Sequence, residues 1–153
     1  MIDADQVFDA LSQYVAARPE RQWIFTVSPV RHLADGLHAN QLSKATLHLG
    51  IEKLIKRYPN AHYFPAYEIM LDELRDYRFY ADDMMHPTQQ AADYIFERFM
   101  DYALADSERP LLQEAEKIHG MMQHRILNPG TPQADRFESQ RRQALELFLS
   151  RIR

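Results

Sequence analysis

Apolar positions recur along this chain first at helical spacing and then as short continuous runs. Val7, Leu11, Tyr14 and Val15 repeat at helical spacing, and Pro19 lies just past them, which predicts a helix over about 3 to 18. "QWIFTVSPV" follows. Trp23 to Val27 is a compact aromatic and β-branched run stopped by Pro29, a pattern that suits a buried parallel strand. "RHLADGLHANQ" reads as a polar, Gly-containing loop. Asn40 can cap the next helix, where Leu47, Ile51, Leu54, Ile55 and Tyr58 form one stripe. "RYPN" ends that helix, and "AHYFPAYEIM" predicts a second short strand at about 61 to 64, broken by Pro65. Helix, strand, helix, strand is the order of a fragment of an α/β wind.

Beyond "LDELRDYRFYADDMMHP", Ala92, Ile95, Phe96, Phe99 and Ala103 lie on one face of a further helix. Two more helices are predicted at about 108 to 126 and 133 to 152, with "LNPGTP" as the turn between them. The last carries Phe137, Ala144, Leu145, Phe148, Leu149 and Ile152 at core spacing. Only two strands emerge, and a two-stranded parallel sheet is not a stable unit. Either the chain is mostly helical or its sheet is completed by something outside this sequence.

The 153 residues suit one domain, and the formal net charge of −4, with no long run of one sign, argues against a nucleic-acid partner. No apolar stretch is long enough for a membrane span. "MIDADQVFDA" lacks the order of a signal peptide, so the protein is expected in the cytoplasm if Met1 is the native start. There is no cysteine. That excludes disulfides, Cys-based zinc sites and thiol nucleophiles, and leaves Ser, Thr, Asp, Glu, Lys, Tyr or water to attack.

Asp83 precedes His86 by three residues, with Pro87 next, a residue tolerated in a first helical turn, and Thr88 able to help cap that helix. His86 then lies at or just before a helix N-terminus, where the dipole favours neutral imidazole. Asp83 is placed to accept from Nδ1 and orient the ring, leaving Nε2 to take a proton from a hydroxyl. The plain alternative is a helix cap. Ser28 ends the first strand, where α/β sheets place ligand and catalytic groups, but "TVSPV" lacks the glycines of a nucleophile elbow. A role in the site wall, or in satisfying loop backbone, suits Ser28 better than attack. Arg31 and His32 either hold an anionic or carbonyl group or pair with Asp35. His32, Asp35, His38, Asp82, Asp83 and His86 are possible metal ligands without a recognised spacing, so no metal and no cofactor is expected. "YFPAYEIMLDELRDYRFY" either lines a substrate cleft or is an irregular segment with half-buried Tyr rings. Met84 and Met85 read as packing.

"FTVSPVRHLADGLHANQLSKATL", "YFPAYEIMLDELRDYRFYADDMMHP" and "IFERF" resemble the GSCFA family, a bacterial group related to SGNH hydrolases. The resemblance implies a flavodoxin-like, SGNH-type three-layer α/β/α domain, here partial and helix-rich. Residues 1–107 would be its C-terminal part, with 108–153 a helical extension packed on the same domain. It also implies that Asp83, His86 and Pro87 match the last motif block of SGNH-type hydrolases, with His86 the general base and Asp83 its orienter. Acyl transfer to water through a serine ester is the implied chemistry. The family is named for a Gly-Ser-Cys-Phe-Ala motif that carries the serine, and this chain lacks it. Arg31, His32 and Tyr67 fall in matching motifs and are candidates for substrate contact, as is Ser28.

Two readings follow. In the first, the chain is the C-terminal portion of an ester hydrolase acting on a small-molecule, glycan or lipid ester, inactive without the upstream nucleophile. In the second, it is a non-catalytic module that folds by pairing with another copy or with the missing part, since an apolar edge near Trp23–Val27 invites pairing. A third possibility makes Ser28 the nucleophile, which requires its Oγ within about 3 Å of His86 Nε2.

Overall fold

The computed structural model describes residues 2–34 and 36–152. They form two compact units, Met1–Tyr102 and Ala103–Arg153. The first unit contains α1 (Ala4–Ala16), β1 (Trp23–Phe25), α2 (Gly36–Arg57), β2 (Ala61–Tyr63), a single turn α3 (Ala66–Glu68) and α4 (Gln89–Ala103), whose last residue lies past the boundary. The second contains α5 (Arg109–Gln123) and α6 (Pro132–Arg151). The protein is therefore helix-rich, with one small parallel sheet. Among the described residues no helix is long and apolar enough to cross a membrane.

Helix α1 starts at a capping box: Asp3 accepts from the Gln6 amide, and the Gln6 side chain accepts from the Asp3 amide. β1 and β2 pair in parallel, with Trp23 opposite Ala61 and Phe25 opposite Tyr63. Side chains alternate across a strand. Trp23, Phe25 and Ala61 therefore pack with Val15 and Leu54 on the face covered by α1 and α2. Ile24, Thr26 and Phe64 face the other way, towards α4, where Phe64 meets Phe99 edge-on at 5.2 Å. Helices thus cover both faces of a two-stranded sheet, the α/β arrangement expected from the order of elements.

α1 and α2 cross closely because residue 50 is glycine: a Cβ there would lie 2.6 Å from Cβ of Val7. Gly50→Ala gains up to about 1 kcal/mol of helix propensity but overpacks the crossing by about 1–3 kcal/mol. A net loss of thermal stability is expected, read by the fluorescence of Trp23, the chain's one tryptophan. An unchanged or raised midpoint would refute the tight crossing.

Five local expectations need correction. The helix expected after Asn40 begins at Gly36, so the preceding loop is shorter. Asn40 is buried inside that helix and does not cap it; its side-chain oxygen accepts from the His32 amide at 2.9 Å. β1 ends at Phe25, and Ile24 is 41% exposed, because the groove between the sheet and α4 leaves its side chain open. The stretch 66–74, read as cleft or irregular, is helical, with a wide π-type turn over Ile69–Leu74 that ends at left-handed Arg75. Pro87, placed in the first turn of a helix, instead precedes α4 and pairs with Tyr80 in an isolated antiparallel bridge.

In the second unit, α5 and α6 are joined through Gly130, whose φ of +81 suits only glycine well. Ile118 and Met122 meet Leu145, Phe148 and Leu149 around an apolar groove. Thr131 caps α6 by accepting from the Ala134 amide.

Candidate active site

The Asp83–His86 loop is closed at its base. The Thr88 amide donates to Phe79 O and the Ala81 amide to His86 O, both at 2.8 Å. Thr88 then caps α4 through its hydroxyl and its carbonyl. Ala81 to Met84 make a turn with Met84 left-handed at φ 58, and the Asp83 carboxylate reaches forward along the chain, past Met84. Oδ1 accepts from the amides of Met85 and His86, and Oδ2 lies 2.6 Å from His86 Nδ1. The amide of His86, then its ring, then the amide of Met85 pull the Asp83 carboxyl down to about 2. Asp83 is thus an anion throughout the neutral range, and it fixes the proton of His86 on Nδ1.

A carboxyl whose folded pKa is depressed stabilises the fold above its ordinary value, and that contribution fades as pH falls through the folded value. Here the window runs from the ordinary 3.8 down to about 2. A carbon NMR titration is expected to place Asp83 near the lower figure; a midpoint at the ordinary value would contradict the loop geometry.

Arg31 places its guanidinium 5.4 Å from the centroid of the Tyr80 ring, so a cation lies against the residue whose bridge to Pro87 closes the loop. His32 is tethered through its amide to the buried Asn40. The Ser28 hydroxyl accepts from the Val30 amide at 3.2 Å, and its carbonyl accepts from Lys44 at 2.6 Å. Among the described residues, neither Ser28 nor any other hydroxyl hydrogen-bonds Nε2 of His86. Tyr67 is directed to α2: it donates to Gln41 and packs edge-on against His48. The pairing of Arg31 or His32 with Asp35 falls on a residue outside those described. Among the described residues no group of three His, Asp or Glu is arranged to hold a metal.

Three features escaped the sequence reading. Tyr80 carries Arg31, a contact that neighbouring residues do not signal. Tyr63 donates to both oxygens of Glu68 beside His48, and burial and that carboxylate push its hydroxyl pKa well up. Last, an apolar groove of about 500 Å³ runs between the sheet and α4, with Pro29 and Pro87 in its wall.

These features define a helix-rich α/β protein with an oriented Asp–His pair on the loop entering α4. A model of the GSCFA family matches residues 3–99, nearly the whole first unit, and the chain belongs to that family. No curated protein and no solved structure matches it.

Proposed function

We propose that the chain is the C-terminal portion of an SGNH-like ester hydrolase, in which Asp83 and His86 are the orienting acid and general base of a Ser-His-Asp triad. The 2.6 Å contact between His86 Nδ1 and Asp83 Oδ2, with Nε2 left without a hydrogen-bond partner among the described residues, carries this reading. Such a ring removes the proton of a serine hydroxyl as the serine oxygen bonds to the ester carbonyl carbon. The tetrahedral adduct collapses, the alcohol leaves with the proton from Nε2, and water, activated by the same nitrogen, cleaves the serine ester. The serine would come from a segment outside these residues, paired in the plane of the sheet against the free edge of β1. That strand would extend the two present towards a flavodoxin-like α/β/α sheet. Arg31, beside Tyr80, would face the carbonyl or carboxylate end of the ester.

The test is hydrolysis of p-nitrophenyl esters by this chain alone, by the chain extended upstream, and by the extended chain with His86→Ala. Activity only in the extended wild type is expected. Turnover by this chain alone, lost with His86→Ala, would return the role of nucleophile to Ser28. The exposed Ile24 beside an unpaired strand edge favours the second reading, a non-catalytic pairing module. That reading would stand if the extended chain were inert while this chain self-associated in sedimentation.

A further inference from the structure

The groove between the sheet and α4 is a feature of the first unit that the Asp–His pair leaves unexplained. Its floor is the face of the sheet turned away from α1 and α2: Ile24, Thr26 and Phe64. Its far wall is α4, through Ile95, Phe96 and Phe99. None of its lining residues is charged, and Thr26 brings the only side-chain hydroxyl. The volume of about 500 Å³ lies within the range of small-molecule sites, far more than an acetyl group fills.

Its position ties it to the Asp–His centre. Pro87, adjacent to His86, and Pro29, adjacent to Ser28, both line it. The Pro87 bridge partner is Tyr80, whose ring carries Arg31, so a cation is held on the residue bridged to the groove wall. A polar, charged end next to an uncharged apolar trough matches a molecule with a carboxyl-derived head and a hydrocarbon tail. A strand added to the edge of β1 pairs in the plane of the sheet, so that strand itself does not enter the groove.

We propose that the groove is the acyl subsite of the Asp83–His86 centre, and that it selects esters of medium-chain, unbranched apolar acids over acetyl esters. The acyl assignment rests on the hydrolase reading above. The groove itself is tested without turnover, by binding the free acids.

Hexanoate, octanoate and decanoate are titrated separately into the chain by calorimetry. Each methylene buried from water is worth about 0.8 kcal/mol, so affinity is expected to rise about fourfold per added methylene. Phe96 is 51% exposed on α4, so Phe96→Gln should fold and should flatten that dependence. Leu149→Gln, in the apolar groove between α5 and α6, should leave it intact. A flat wild-type series, a slope surviving Phe96→Gln, or a slope abolished by Leu149→Gln would each overturn the proposal. A protein that binds by chain length but hydrolyses nothing would sink only the hydrolase reading. One that hydrolyses acetyl and octanoyl esters equally well, with flat binding, would sink only the acyl subsite.

Discussion

Asp83→Asn in the active, extended protein is expected to lower kcat about 10⁴-fold. The asparagine keeps an oxygen to accept from the amides of Met85 and His86, so the loop retains those two anchors. What changes is the group facing His86 Nδ1, now at 2.6 Å from a carboxylate oxygen. An amide NH₂ aimed at Nδ1 makes that nitrogen the acceptor and moves the ring proton to Nε2. The nitrogen needed as base is then blocked, and the imidazolium of the transition state loses its counter-charge. His86→Ala is expected to cost more, on the order of 10⁶-fold, and the double variant no more than His86→Ala alone, because the two residues act as a unit. Matching thermal midpoints of wild type and Asp83→Asn would separate chemistry from folding. A loss under tenfold would remove the Asp–His pair from the mechanism.

The spacing of Asp83 and His86 was legible because it is local: three residues, one turn and one capping threonine determine it. The stripe of Leu47, Ile51, Leu54, Ile55 and Tyr58 likewise located α2, since burial of one helical face imposes that period. The start of α2 was not legible. Gly36 is a poor helix former, and residues 36–40 carry no stripe; Asn40 is buried there to hold the distant His32 amide. The turn at Ile69–Leu74 was missed because a π-type turn breaks the 3.6-residue period. Arg31 on Tyr80 and the groove floor of Ile24 and Phe64 arise from contacts between distant segments, which no local pattern encodes. The shortage of strands was readable from the pattern of apolar runs along the chain, and the described residues form strands in the same two places.

The sheet carries the Leu54 cluster on one face and, on the other, the groove together with a second core cluster of Phe64, Ala66 and Ile69, and the Leu54 cluster predicts the largest stability effect. Leu54 is 0% exposed where α1, α2 and the sheet meet, against Val15 and Ala61 and within a shell that includes Phe8, Leu11 and Trp23. Close packing on every side leaves little room for collapse into a vacated volume, so Leu54→Ala is expected to cost about 2–5 kcal/mol. That is a large part of the roughly 5–15 kcal/mol typical of a domain. Leu147→Ala, at a position 61% exposed on α6, should change stability by less than about 0.5 kcal/mol. Trp23 packs on the Leu54 cluster, so its fluorescence follows the unfolding of this core in denaturant. Because that cluster lies on the opposite face of β1 from Ile24 and Thr26, folded Leu54→Ala should bind octanoate as the wild type does. Loss of stability with unchanged binding would locate core and groove on separate faces of the sheet, whereas loss of both together would mean that the groove is an extension of the core.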